Sequence, residues 1–297
     1  MALSHVQQAG AARRSKQRTE RRAVVGRVLL YTLVGSLSLV FAMPLLWMIS
    51  TSLKTDPQVY TAPPIWLPNP IRWANYPEAL FTKKPFLLYT WNTIRIAIPS
   101  VIGAVVSCSL VAYGFARIRF PGRDALFFIC VATMMVPFQV RMISLYIIFR
   151  NLDWLDSFKP LVVPHFFAGA YFVFMLRQFF MTIPQELSEA ARIDGCKELG
   201  IYWWVILPLA KPALAVVGLF TFRNVWNNFV GPLIYINHER LFPISLALRG
   251  FYAQYSEEHL WQYMMAASAA TTAPMILIFF LTQRAFVEGI SVTGIKG

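Results

Sequence analysis

Apolar residues fill this chain in long blocks separated by shorter polar stretches. Six blocks, at about 28–50, 87–115, 124–148, 160–181, 207–236 and 260–286, each reach the ~20 residues a helix needs to cross a bilayer. The pattern predicts an all-α polytopic membrane protein of six transmembrane helices. Between the first two blocks, residues 51–86 are crowded with Pro63, Pro64, Trp66, Pro68 and Pro70, which predicts an extended external loop carrying interface-seeking rings. A short external turn is expected at 151–159, and an external segment holding Glu239, Glu257 and Glu258 before the last block.

One interruption is built differently. Residues 184–212 read PQELSEAARIDGCKELGIYWWVILPLAKP. Pro184 suits a first helical position, Glu186 and Glu189 oppose the dipole of a first turn, and Gly195 can supply a left-handed terminating residue. A helix over about 185–194 follows, with Leu187, Ala190, Ala191 and Asp194 on one small-to-apolar face and Glu186, Glu189 and Arg192 around its edge. A second turn over 197–204 leads to Ile206, Leu207 and Pro208, where the proline marks a boundary. The result is a helix-glycine-helix knob outside the membrane. By itself it is also compatible with an amphipathic connector lying on the lipid surface.

Composition sharpens this picture. Of 297 residues, 57% are hydrophobic and only 14% charged, which excludes an ordinary soluble domain. The net charge of +13 is not gathered on aromatic-rich faces, so nucleic acid is not the expected partner. Arg13, Arg14, Lys16, Arg18, Arg21, Arg22 and Arg27 precede the first span and assign residues 1–27 to the cytoplasm, and Arg117, Arg119 and Arg123 mark the same side after the second. Six spans then leave both ends cytoplasmic, with a tail over 287–297 and the knob inside. The first block is too long for a signal peptide and lacks a small-residue cleavage site, so it is read as a retained span. Cys108, Cys130 and Cys196 have no metal-ligand spacing and receive no redox role.

The sequence carries no catalytic constellation. The stretch from Gly195 to Gly200 has the glycine spacing of a phosphate-binding loop, but Ile201 and Tyr202 stand where Lys and Ser or Thr are needed. His238-Glu239 opens like a zinc-protease helix, yet Phe242 takes the place of the second histidine, so no metal is implied. Polar groups inside spans are the remaining candidates. In the cluster from Arg223 to Asn228, Asn224, Asn227 and Asn228 offer neutral donors and acceptors beside the aromatic face of Trp226, suited to sugar hydroxyls, with Arg223 an unusual charge next to them; helix-to-helix bonding is the other reading. Gln139 and Arg141, beside Pro137, are further candidates. An ion-coupled carrier working alone is the alternative function, disfavoured because the spans lack an acidic proton relay.

Read together, Glu189-Ala190-Ala191, Asp194-Gly195 and Ile206-Leu207-Pro208 resemble the EAA signature of ABC importer permeases, with Cys196 where an alanine is usual. Further stretches are similar to the carbohydrate-uptake branch, and to the smaller permease of its maltose-type systems: PLLWMISTSLK from Pro44 to Lys54, YGFAR from Tyr113, FPG from Phe120, WNNFVGP from Trp226 and the ending GIKG from Gly294. The resemblance implies the type I permease fold, with a six-span domain over 28–286 and a coupling loop over 183–208. It further implies a second, non-identical permease, two copies of an ATPase that hold ATP and magnesium, an external solute-binding protein, and a prokaryotic plasma membrane. Glu189, Ala190, Ala191, Asp194, Gly195, Leu207 and Pro208 are the ATPase-coupling residues it implies. This chain itself is expected to be no enzyme and to bind no cofactor.

Overall fold

A computed structural model of the chain describes residues 2–257 and 260–294, and the side chains of 24–252 and 260–283. Glu258, His259 and residues 295–297 of the GIKG ending lie outside the described residues, as do the side chains of the expected basic N-terminal segment before Val24, of Glu257 and of the 287–297 tail.

The described residues are helical and contain no strand. The long elements are α1 (Ala2–Ser52), α2 (Phe86–Arg117), α3 (Arg123–Ala132), α4 (Phe138–Asn151), α5 (Ala170–Thr182), α6 (Glu186–Ile193), α7 (Lys211–Trp226), α8 (Ile244–Glu257) and α9 (Trp261–Gly294). Among the described residues, four stretches are long enough and apolar enough to cross a membrane: Val24–Ser52, Phe86–Arg117, Lys159–Thr182 and Trp261–Gln283. Two further spans are broken pairs, Arg123–Met135 with Phe138–Asn151 at 98° and Glu198–Leu209 with Lys211–Trp226 at 79°, so the count reaches six when each pair is one span.

Both breaks have local causes. Val136, preceding Pro137, is pushed to an extended ψ of 109°, which ends the helical path of the third span. The expected boundary at Pro208 moves to Ala210. Pro208 falls early in the short turn Leu207–Leu209, where its missing N–H costs little, and the chain turns just before Lys211 and Pro212. The fifth span is correspondingly shorter than 207–236: α7 stops at Trp226, and a separate turn, Val230–Tyr235, follows.

α2 is the central helix. Half of its most apolar window is buried, whereas none of the corresponding window of α1 is. Ala97, Ser100, Ala104, Cys108 and Ala112 recur at three- and four-residue spacing along α2, all buried, and this small-residue stripe lets α5 and α7 approach closely. At Gly103 the turn Val163–Phe166 that precedes α5 also packs close, since a Cβ there would lie 2.6 Å from the Phe166 ring.

Loop 51–86 is more structured than its proline content predicts. Asn75 Nδ2 donates to the Ser52 and Lys54 carbonyls at 2.9 and 2.8 Å, and Arg72 pairs with Glu78 at 3.1 Å. Glu78 also accepts from Tyr263 on α9, which with Arg72 holds its carboxyl below the usual range. α8 occupies part of the stretch read as an external segment. It begins behind Pro243 and buries Ile244, Leu246, Ala247 and Phe251 against α2 and α9.

Candidate coupling surface and transport path

The knob predicted at 184–212 is formed. α6 covers Glu186–Ile193 and stops at Asp194, and Gly195 adopts a left-handed φ of +84°. Cys196 N–H donates to the Ala191 carbonyl at 2.9 Å and Gly195 N–H to the Arg192 carbonyl at 3.0 Å, the paired bonds of a Schellman cap. The chain then resumes as Glu198–Ile201 and a wider turn over Tyr202–Ile206.

The base of the knob is fixed to α2 and α5. Tyr113 Oη donates to a Glu198 carboxylate oxygen at 2.7 Å, and the Tyr202 and Ser109 hydroxyls share a 2.7 Å bond. Arg117 donates to the Phe180 and Ile183 carbonyls at 2.6 and 2.5 Å, satisfying the end of α5. Ile201, Ile206 and Ala210 are fully buried in the same core as Leu176 and Phe180.

The opposite side of the knob faces outward. Ser188 and Ala191 form the inner line of α6, while Leu187, Ala190 and Asp194 point away from the bundle, as do Ile193, 86% exposed, and Leu199. The two adjacent alanines are therefore split, Ala191 inward and Ala190 outward, as 100° per residue requires. Glu189 is exposed and has no basic group within ion-pair distance among the described residues. Leu207 is half-buried on the core and Pro208 exposed. A cleft of about 540 Å³ opens beside the knob, lined in part by Arg117, Arg119, Arg123, Ser188 and Arg192.

The polar cluster at the end of α7 divides into two groups. Trp226 is 5% exposed, stacks on Phe222 with ring centres 5.4 Å apart and donates to the Thr271 carbonyl at 3.2 Å. Asn228 accepts from Gly231 N–H at 3.1 Å, and its own carbonyl accepts from Ser245 at 2.7 Å, so it shapes the turn into Val230–Tyr235. Asn227 donates to the Arg223 carbonyl at 2.9 Å and closes α7. Arg223 and Asn224 instead project from the bundle. Gln139 and Arg141 are exposed at the start of α4, just past the break.

The end of the bundle away from the knob is clamped. Glu239 accepts from Lys84 at 2.6 Å and Tyr89 at 2.9 Å, which holds its carboxyl below the usual range. Asn92 donates to the Arg240 and Phe242 carbonyls, and Ile244 N–H to the Thr93 hydroxyl at 2.8 Å. Neither this clamp nor Arg249, whose guanidinium lies 5.1 Å from the Phe229 ring, was among the sequence candidates. The apolar spacing of Ile244, Ala247, Leu248 and Phe251 at i, i+3, i+4 and i+7 is the signal that marks the α8 helix.

Comparison with known proteins places this geometry. Residues 100–292 match the family described as binding-protein-dependent transport system inner membrane component. Among characterised relatives, the arabinooligosaccharides transport system permease protein AraQ of Halalkalibacterium halodurans is 32% identical over 71% of this chain and 75% of its own length. The sn-glycerol-3-phosphate transport system permease protein UgpE of Yersinia enterocolitica is 32% identical over 79% of this chain and 85% of its own. In fold, the chain is similar to a chain of a bacterial ABC transporter involved in the import of the acidic polysaccharide alginate, with a TM-score of 0.78, 24% identity, and coverage of 88% of this chain and 96% of that one.

Proposed function

Because the chain belongs to the family of binding-protein-dependent transport system inner membrane components, we propose that it lines half of the translocation path of an ATP-driven importer for a carbohydrate or polyol. The curated relatives support that cargo class: one is named for an arabinooligosaccharide and the other for a glycerol phosphate, both polyhydroxylated. A second, non-identical permease supplies the other half of the path. An external solute-binding protein delivers the cargo, and two copies of an ATPase carry the ATP and magnesium that this chain has no loop to hold. The basic residues at the knob end, Arg117, Arg119, Arg123, Lys197 and Lys211 among them, support the reading that this end and both termini lie in the cytoplasm of a prokaryotic plasma membrane.

The observation that carries the coupling role is the two-sided knob. Its base is locked to α2 and α5 by buried apolar contacts and hydrogen bonds, while Leu187, Glu189, Ala190, Ile193 and Asp194 face outward. A rigid element with an unpaired carboxylate on its free side suits docking into a cleft on the ATPase, with Glu189 meeting a basic residue there. ATP-driven closure then moves the knob and the helices fixed to it as a body, in alternating access. An ion-coupled carrier has less support, since the described spans carry no Asp or Glu beyond Asp124 and Glu198, both at the knob end.

The test is reconstitution of the whole importer with Glu189→Lys. Uptake is expected to disappear while membrane insertion and the other subunits' association with the second permease remain. Full ATP-driven uptake by that variant defeats the coupling role, and uptake on an ion gradient without any ATPase defeats the importer reading.

A further inference from the structure

Two arginines lie on one surface of the bundle without a counter-ion among the described residues. Arg223 of α7 lines a cleft of about 270 Å³ with Leu219 and Phe220, closed on the other side by Met275, Phe279 and Thr282 of α9. Arg249 of α8 lines a second cleft, of about 360 Å³, with Ser245 and Tyr252, closed by Met264 and Ser268 of the same helix. On α9 the lining positions 264, 268, 275, 279 and 282 recur at three-, four- and seven-residue intervals, which is one helical stripe. Both clefts therefore open along the same line. Residues 268 and 275 are separated by seven steps of about 1.5 Å, so the nearest α9 lining residues of the two clefts are about 10 Å apart along the helix.

The chemistry along the line is one-sided. Neither arginine has an acidic partner among the described residues, and no Asp or Glu occurs in Phe86–Arg117, Phe138–Asn151, Lys211–Trp226 or Trp261–Gln283. An arginine inside a span that is not paired with the chain's own groups faces a cavity or a partner rather than lipid, which applies to Arg223 on α7; Arg249 lies on α8, outside the six spans. Beside them stand neutral hydrogen-bonding groups, Asn224, Ser245 and Ser268, and the aromatic faces of Phe279, Tyr252 and Phe229. Guanidinium groups grip carboxylate and phosphate oxygens in a fork, while hydroxyl-bearing rings use the amide, hydroxyl and aromatic surfaces.

The geometry points to an anionic cargo: a carbohydrate or polyol bearing a carboxylate or a phosphate, which passes along the α9 stripe and meets Arg223 and Arg249 in succession. This rests on the reading of the chain as a carbohydrate importer permease and narrows it, since the neutral and the phosphorylated cargo of the named relatives leave the charge open. Two cations in successive clefts, with no fixed anion among the described lining residues, attract a negative group without trapping it at either one.

The complete importer with its solute-binding protein, in proteoliposomes, tests this with three radiolabelled probes: trigalacturonate, sn-glycerol 3-phosphate and neutral arabinotriose. ATP-dependent uptake of one of the two anions is expected, the responding probe telling carboxylate from phosphate. Arg223→Gln and Arg249→Gln should each lower that uptake at least about tenfold, with ATP hydrolysis in the absence of cargo and association with the second permease unchanged, and Arg223→Lys should retain more uptake than Arg223→Gln. Uptake of arabinotriose alone, undiminished by the glutamine substitutions, overturns the anionic assignment and leaves the importer reading intact. Loss of the second permease from the glutamine variants, with association restored by lysine, also overturns it, because the arginines then serve subunit pairing. No ATP-dependent uptake of any probe, together with uptake on an ion gradient, overturns both.

Discussion

Replacing Gly195 separates a conformational requirement from a steric one. Its φ of +84° lies where a side chain strains the backbone, yet a Cβ at this position would meet no atom within 4 Å. Any cost therefore comes from the left-handed conformation itself, about 1–2 kcal/mol for an ordinary L residue. That penalty acts on the Schellman cap, which ends α6 through the bonds from Cys196 to Ala191 and from Gly195 to Arg192. A cost of about 1–2 kcal/mol lowers the population of the capped knob relative to alternatives by about 5- to 30-fold. Asparagine tolerates the left-handed region better than alanine, and a β-branched residue is worse. Uptake by the reconstituted importer should then fall in the order Gly, Asn, Ala, Val at position 195, while the thermal stability of the transmembrane bundle hardly moves. Equal uptake by Gly195→Asn, Gly195→Ala and Gly195→Val refutes the reasoning, since it means that the turn geometry does not matter to coupling.

Three further outcomes follow from the packing. Gly103→Ala places a Cβ against the Phe166 ring and should cost about 1–3 kcal/mol of stability through overpacking, with Phe166→Ala restoring part of the melting temperature in the double variant. Trp226→Phe removes the bond to the Thr271 carbonyl and some buried ring volume, for a loss of about 1–3 kcal/mol in thermal unfolding; a drop in uptake per folded molecule would instead assign the ring to the cargo path. The Lys84–Glu239–Tyr89 clamp depends on an ionised carboxylate whose pKa is lowered, so its contribution is complete above the ordinary Glu value of about 4.3 and is lost as pH falls through the lowered one. Melting curves of the unaltered protein and Glu239→Gln should therefore differ near neutral pH and converge on acidification, and a difference that grows in acid contradicts the clamp.

The spans and the knob are legible because each is written in a local signal: long apolar runs for the spans, and for the knob Pro184, two acids in the first turn and a glycine at the cap. The 98° break in the third span has a local signal too, in Pro137, but a proline in an apolar run is compatible with either a kink or a stop, and only packing around it decides. α8 was hidden by its setting. Glu239 before it and Glu257 at its end make the stretch read as external loop, although its apolar positions keep helical spacing. The division of the Trp226 cluster is tertiary in origin. Nothing in the order of residues says that the indole would find the Thr271 carbonyl, 45 positions away, or that Asn228 would cap a turn while Arg223 and Asn224 stay free.

Both ends of the bundle are referenced to one element, and this bears on how motion at the knob reaches the path. At one end α2 holds the knob through Ser109, Tyr113 and Arg117; at the other it holds the 239–244 segment through Tyr89, Asn92 and Thr93. Tyr89 and Tyr113 are 24 residues apart, about 36 Å of helix. α7, which carries Arg223, rests on the same helix, with Gly218 placing its backbone against Val101 and Val105, where an added Cβ would sit at ordinary contact distances of 3.5 and 3.8 Å. A close-packed contact of this kind does not deform by degrees. A displacement of the knob is therefore shared by α2 and α7 together, and what changes is the relation of that unit to the elements it touches less, α1 above all, whose most apolar stretch has no buried residue. The arginine stripe lies where α7 and α8 meet α9, so a shift of α7 against α9 alters the Arg223 cleft directly, while Arg249 follows through the attachment of α8 to Thr93. The proposed coupling of knob to path thus needs only their shared attachment to one helix, with no separate chain of contacts between them.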